Sequence, residues 1–212
     1  MHGHHDQRAF LPAMGTERLL PLYDVVARLA GANRVYRAVV DAADLRPGLR
    51  ILDVGCGTGS VLLAAARRVP GVEITGLDPD PRVLDRARRK LARAGVTARL
   101  DQGYAQELPY PDGVFDRVLS TLMLHHLGSG AKTAMLAEVR RVLAPGGVLL
   151  LADITGPMRG HGLIGWRRHG PQPEITAAIP DLLVDAGLRD VTESGRAHTR
   201  MGPVTLVRAV AG

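Results

Sequence analysis

Two rhythms of apolar residues divide the chain. Near the N-terminus, "ERLLPLYDVVARLAG" (17–31) and "NRVYRAVVDAADL" (33–45) carry apolar positions three and four apart, as helices do. Asn33 suits the cap of the second helix, and Gly31 suits the end of the first. From Arg50 short apolar runs alternate with helical patterns. The expected order is strand 50–54, helix 58–69, strand 73–78, helix 81–95, strand 97–101, strand 115–120, helix 130–147 and strand 148–153. Continuous apolar strands that alternate with helices predict a parallel sheet covered on both faces. After Asp153 the pattern changes. Residues 154–173 are rich in glycine, proline and arginine and read as a lid-like loop. A short helix fits 174–186, ended by Gly187, and strands fit 188–194 and 203–210. The gap between those strands is too short for a helical crossover, so they pair antiparallel. The prediction is an α/β fold with seven strands, mostly parallel, closed by an antiparallel hairpin. Residues 1–16 read as a polar arm. With the two helices up to 45 they form an arm and helical cap, and 46–212 form the α/β domain.

Composition narrows the class. The chain is 46% apolar and 23% charged, as globular proteins are. No apolar run approaches the roughly 18 residues that mark a membrane span, and the first residues lack the layout of a secretory signal. The single cysteine, Cys56, excludes an internal disulfide framework. A cytoplasmic protein is expected. Net charge is +6, carried by arginines spread along the chain with only Lys90 and Lys132 as lysines. Seven aromatic residues offer little for stacking on bases, so nucleic acid is disfavoured as a partner. His2, His4 and His5 belong to the terminal arm, and no metal site is expected.

The strongest local signal is "ILDVGCGTGS", Ile51 to Ser60. Gly55, Gly57 and Gly59 follow a strand and precede a helix, the layout that brings a ligand against backbone at a helix N-terminus. Asp78 ends the next strand, 19 residues after Gly59, where an acid is suited to a ribose. A nicotinamide dinucleotide or S-adenosylmethionine fits this outline. The dinucleotide fingerprint is G-x-G-x-x-G, whereas the spacing here is G-x-G-x-G, with Ser60 in the third glycine's place. Asp53, just ahead of the turn, complements an ammonium and a sulfonium better than a pyrophosphate.

On these residues the chain resembles the class I S-adenosylmethionine-dependent methyltransferases. "LDVGCGTG" is similar to that family's first motif. "PDGVFDRVLSTLMLHHL" (111–127) and "EVRRVLAPGGVLLLAD" (138–153) resemble the ubiquinone/menaquinone C-methyltransferase-like branch. The resemblance implies a Rossmann-like fold and methyl transfer to a small molecule, leaving S-adenosylhomocysteine. It puts Asp53, Gly55 and Gly57 around the methionine portion, with Gly59 and a packed Cys56 in the same turn. It puts Asp78, followed by Pro79, at the ribose hydroxyls. In "QGYAQELPY" (102–110), Tyr104 stands where many relatives have an aspartate that meets adenine, and Ala105 offers a backbone contact. Ser120, Thr121 and Leu124 would line the methyl-donor end. His125 and His126 are candidate general bases, since a histidine titrates near neutrality. Tyr23 would reach the pocket from the helical cap, and Arg159, Trp166, Arg167, Arg168 and His169 from the lid. "RARRKLAR" (86–93) reads as a solvent-exposed helix face. Three other readings compete: an RNA or protein methyltransferase, a nicotinamide oxidoreductase, and a non-catalytic protein that binds the same cofactor. No "NPPY"-type tetrad follows the fourth strand, which speaks against methylation of a base nitrogen.

Overall fold

The computed structural model describes residues 27, 29–155, 179–200 and 202–212. The terminal arm, most of the first expected helix including Tyr23, and the 156–178 stretch with Arg159, Trp166, Arg167, Arg168 and His169 lie outside the described residues.

Seven strands form one sheet: β1 (Arg50–Val54), β2 (Glu73–Asp78), β3 (Arg99–Gln102), β4 (Phe115–Thr121), β5 (Leu143–Ile154), β6 (Leu188–Thr199) and β7 (Gly202–Ala211). Their spatial order is β3-β2-β1-β4-β5-β7-β6. The first five pair in parallel, and β7 joins β5 and β6 antiparallel. The expected sheet and closing hairpin are therefore present. The hairpin strands are longer than expected, because their ladder runs from Leu188↔Ala211 to Thr199↔Gly202.

The helices are α1 (Ala32–Ala42), α2 (Ser60–Arg68), α3 (Pro81–Arg93), α4 (Ser129–Val142) and α5 (Ile179–Asp185). Strand side chains alternate between two cores. Ile51, Leu119 and Leu150 pack with Val35 and Val39 of α1, Leu62 of α2 and Leu84 of α3. Their neighbours Leu52, Val118 and Leu149 pack on the other face with Met135 and Leu136 of α4 and Leu183 of α5. Residues such as Leu52, Leu119 and Leu150 are fully buried, and each such side chain contributes about 1.5–3 kcal/mol relative to exposure.

Several expected boundaries are corrected. α1 starts at Ala32 and is preceded by Gly31 in a left-handed conformation, so Asn33 lies inside the helix and is not its cap. α4 stops at Val142 rather than 147, because Leu143 already pairs with Phe115 and Pro145 cannot continue a helix. α2 starts at Ser60, since Gly57 and Gly59 hold positive φ and keep the turn out of the helix. α3 ends at Arg93. Its start is fixed by Asp80, whose Oδ1 accepts from the Arg82 N–H at 2.9 Å. β3 begins two residues later than expected, at Arg99.

Cys56 packs against Gly76, which gives one stability prediction. A Cβ on Gly76 would stand 2.7 Å from Leu62 Cδ1, 2.8 Å from Cys56 Sγ and 2.9 Å from Leu100 Cδ2. Gly76→Ala is expected to cost about 1–3 kcal/mol, as overpacking does, and to lower the urea midpoint. An unchanged midpoint would contradict this packing.

Candidate functional site

β1 and β4 lie side by side at the centre of the sheet, and the chain order reverses there. Open α/β sheets bind ligands in the crevice at such a switch point, beyond the carboxyl ends of the strands. The unpartnered buried polar atoms collect at the same edge. Among the described residues, Asp53 Oδ1 and Oδ2, Ser120 Oγ, Thr121 Oγ1 and Lys132 Nζ are buried with no hydrogen-bond partner. Asp53 sits one residue from the end of β1, and Ser120 and Thr121 end β4. A buried polar group without a partner costs several kcal/mol, more if charged, so the cluster marks a place where a ligand belongs.

The turn after β1 is held from below. The Gly55 and Cys56 N–H groups both donate to the Leu77 carbonyl, at 2.8 and 3.0 Å. Asp78 latches it from the side: its Oδ2 accepts from the Gly57 N–H at 2.9 Å, and its Oδ1 from the Asp80 N–H at 3.0 Å. The Cβ position of Gly57 is open, with nothing within 4 Å, whereas Met123 presses on the Cβ position of Gly55. Gly59 closes the turn by donating to the Cys56 carbonyl at 2.9 Å. Burial pushes the Asp53 carboxyl up to about 8, and the negative charge of Asp78 adds to the rise. Burial also raises Asp78, against the opposing pull of its two backbone donors.

The loop after β3 runs beside this latch. The Gly103 N–H donates to the Asp78 carbonyl at 3.2 Å, and Gln102 Nε2 donates to the Pro79 carbonyl at 3.1 Å. Tyr104 follows with 36% of its surface exposed, while Ala105 is buried. Asp101 is engaged elsewhere: it accepts from Tyr110 Oη at 3.0 Å and pairs with Arg99 at 2.7 Å. The structure thus brings Asp53, the glycine turn, Asp78, Tyr104 and Ser120 to one edge.

The His-His pair follows β4 on a short 3-10 turn, Leu124–His126. The chain enters it through Leu122, a non-glycine residue at φ 56, a strained conformation of the kind that clusters at functional sites. His125 Nδ1 lies 2.6 Å from Asp153 Oδ1, and the His125 N–H donates to Asp153 Oδ2 at 3.0 Å. Asp153 also accepts from the Ile154 N–H at 2.7 Å, which completes its fixing. A carboxylate on Nδ1 keeps the proton there and leaves Nε2 as the acceptor. Burial and the adjacent His125 push His126 down to about 4, so it is neutral at physiological pH. The two rings stand 4.0 Å apart.

Asp153 and Lys132 were not among the expected site residues. Asp153 was legible as an acid at the carboxyl end of a buried strand. Lys132 carried no signal, because a lysine one turn into a helix ordinarily faces water. Here it is 1% exposed, burial lowers its pKa, and Asp153 is the charge that opposes the fall. No group of three or more potential metal ligands occurs among the described residues. No described helix is long and apolar enough to cross a membrane.

Residues 51–147 match a methyltransferase domain family. The chain is 39% identical over 145 residues to the demethylmenaquinone methyltransferase of Thermus thermophilus, covering 67% of this chain and 65% of that protein. It is 38% identical over 137 residues to a ubiquinone/menaquinone biosynthesis C-methyltransferase of Bordetella avium, covering 63% of this chain and 53% of that one. The chain therefore spans between about half and two thirds of the length of these relatives. A S-adenosylmethionine-dependent methyltransferase from Aquifex aeolicus shares the fold, with a TM-score of 0.66 and 22% identity over 89% of this chain and 98% of that one. The chain belongs to the class I S-adenosylmethionine-dependent methyltransferases. These relatives are quinone C-methyltransferases by name, and S-adenosylmethionine is the cofactor of the class.

Proposed function

We propose that this chain methylates a small-molecule acceptor with an acidic hydroxyl, of the class that includes reduced quinones, with S-adenosylmethionine bound at the β1/β4 edge. The observation that carries the proposal is the Asp53 carboxyl group, buried and unpartnered beneath the glycine turn. It fits a cationic ligand and would not welcome a pyrophosphate. When bound, S-adenosylmethionine supplies a methyl group activated by a sulfonium leaving group. Asp53, Gly55 and Gly57 bind its methionine portion, with Cys56 and Gly59 shaping the turn. Asp78 accepts the ribose hydroxyls, because each of its oxygens holds one backbone N–H and has a further lone pair. Pro79, Tyr104 and Ala105 border the adenine, and Ser120 faces the donor end. His125 Nε2, with Nδ1 anchored on Asp153, takes the acceptor's hydroxyl proton. The activated carbon or oxygen is then held in line for transfer, and such positioning supplies several kcal/mol. The names of the relatives support the acceptor class, and the thin aromatic content weighs against RNA.

The pH dependence of cofactor affinity tests the role of Asp53. A carboxyl at about 8 holds its proton at neutral pH. A cationic ligand favours the ionised form, so binding releases a proton. Affinity for S-adenosylmethionine is therefore expected to strengthen by approaching tenfold per unit between about pH 6 and 7.5, where the ligand's amine (pKa about 8) remains charged. Asp53→Asn should weaken binding and flatten the profile. A flat profile in the natural sequence would overturn the assignment of Asp53.

A further inference from the structure

Beyond the proposed methyl transfer, the outer face of the helix layer carries a second feature. A groove of about 480 Å³ runs between α2 and α3, lined by Leu63, Arg67, Arg86, Arg89, Lys90, Arg93 and Ala94. Five of these seven residues are cations and none is an acid. On α3, six cations stand against one acid, Asp85, which is paired with Arg88 at 2.7 Å. Arg86 and Lys90, and Arg89 and Arg93, repeat at a spacing of four residues. Like charges at that spacing repel along one helix face, so the arrangement works against the helix unless an anion joins it. Arg67, Arg89 and Arg93 have no hydrogen bond or ion pair among the described residues. Lys90 forms the inner wall, donating to Thr58 Oγ1 at 2.9 Å and Ser60 Oγ at 3.0 Å.

We propose that this groove binds a small soluble ligand that carries two or more linked phosphates. Arginine forks match phosphate oxygens bidentately. Arg86 to Arg93 spans about 10 Å along the helix axis, room for a short phosphate chain. The lining holds no aromatic ring, so it offers no platform for stacked bases. Its cations line a narrow strip between two helices rather than a broad face, which suits a compact anion better than the plane of a bilayer. The groove extends away from the cofactor edge: Arg67 and Arg93 lie in the last turns of their helices, toward the opposite end of the strands from Asp53 and Asp78, and only Lys90 adjoins the glycine turn, at Thr58 and Ser60.

The test uses the full chain and inorganic triphosphate, titrated calorimetrically at about 0.15 M salt, where exposed charges are screened beyond roughly 8 Å. Saturable one-to-one binding is expected, tighter than for orthophosphate. The Arg89→Gln/Arg93→Gln pair should weaken it at least tenfold, and Arg67→Gln should weaken it separately. Both variants should keep the affinity for S-adenosylmethionine, since these side chains are exposed, and should keep or slightly raise the thermal midpoint, since they relieve like-charge repulsion. Absence of saturable triphosphate binding, or equal binding by the double variant, would overturn the proposal. So would capture by phosphatidylglycerol vesicles or by RNA without triphosphate binding, since the face would then serve a different class of partner.

Discussion

Asp78→Ala is expected to reduce affinity for S-adenosylmethionine by about two to four orders of magnitude. Hydrogen bonds to a charged acceptor contribute about 1.5–3 kcal/mol each, and tenfold in affinity corresponds to about 1.4 kcal/mol. Two ribose hydroxyls would lose their acceptor. The same change removes the latch on the glycine turn, because Asp78 holds the Gly57 and Asp80 N–H groups. Asp78→Asn keeps one acceptor oxygen and should lose less, about ten- to hundredfold. The measurement is a calorimetric titration of each variant, with a denaturation curve to show that it folds. Affinity within threefold of the natural sequence in Asp78→Ala would mean that Asp78 serves the turn and no ligand.

His125→Ala is expected to lower kcat by about 10²–10⁴, the usual contribution of a general base, with cofactor affinity unchanged. Asp153→Asn should lower it comparably, because the aspartate fixes the imidazole tautomer that leaves Nε2 free. The assay is single-turnover methylation of a reduced quinone. A plain packing role would lower stability and leave kcat alone, so the two readings separate cleanly. His126→Ala serves as the comparison. Its ring is neutral at physiological pH, so it does not share the tautomer that Asp153 fixes on His125. Full activity in His125→Ala would remove the base from the account and leave positioning as the source of rate.

Much of the architecture was legible because its determinants are local. β1, β2 and the start of β4 fell where apolar runs placed them, and Gly187 punctuated the end of α5. The errors share a cause. The "LAPGG" segment continues a helical pattern, yet Leu143 is taken by its partner Phe115 across the sheet. Asn33 is a good capping residue in isolation, but Gly31 makes the turn. In the site, the glycines and Asp78 announce themselves through spacing. The His125–Asp153 contact joins residues 28 apart in sequence, and only the adjacency of β4 and β5 creates it. In sequence the 86–93 segment reads as one exposed face. Arg86 and Lys90 are instead half-buried beside α2, which turns a charge run into a groove.

The central claim is that the carboxyl edge of β1 and β4 binds S-adenosylmethionine. Thermal unfolding of the unmodified chain with S-adenosylmethionine, S-adenosylhomocysteine and NAD in turn tests it most directly. A ligand at about 100 times its dissociation constant adds roughly 2.7 kcal/mol to stability, which raises the midpoint by several degrees for a protein of this size. The account predicts such a rise with the first two ligands, none with NAD, and none with any of them in Asp78→Ala. A rise with NAD alone would contradict it.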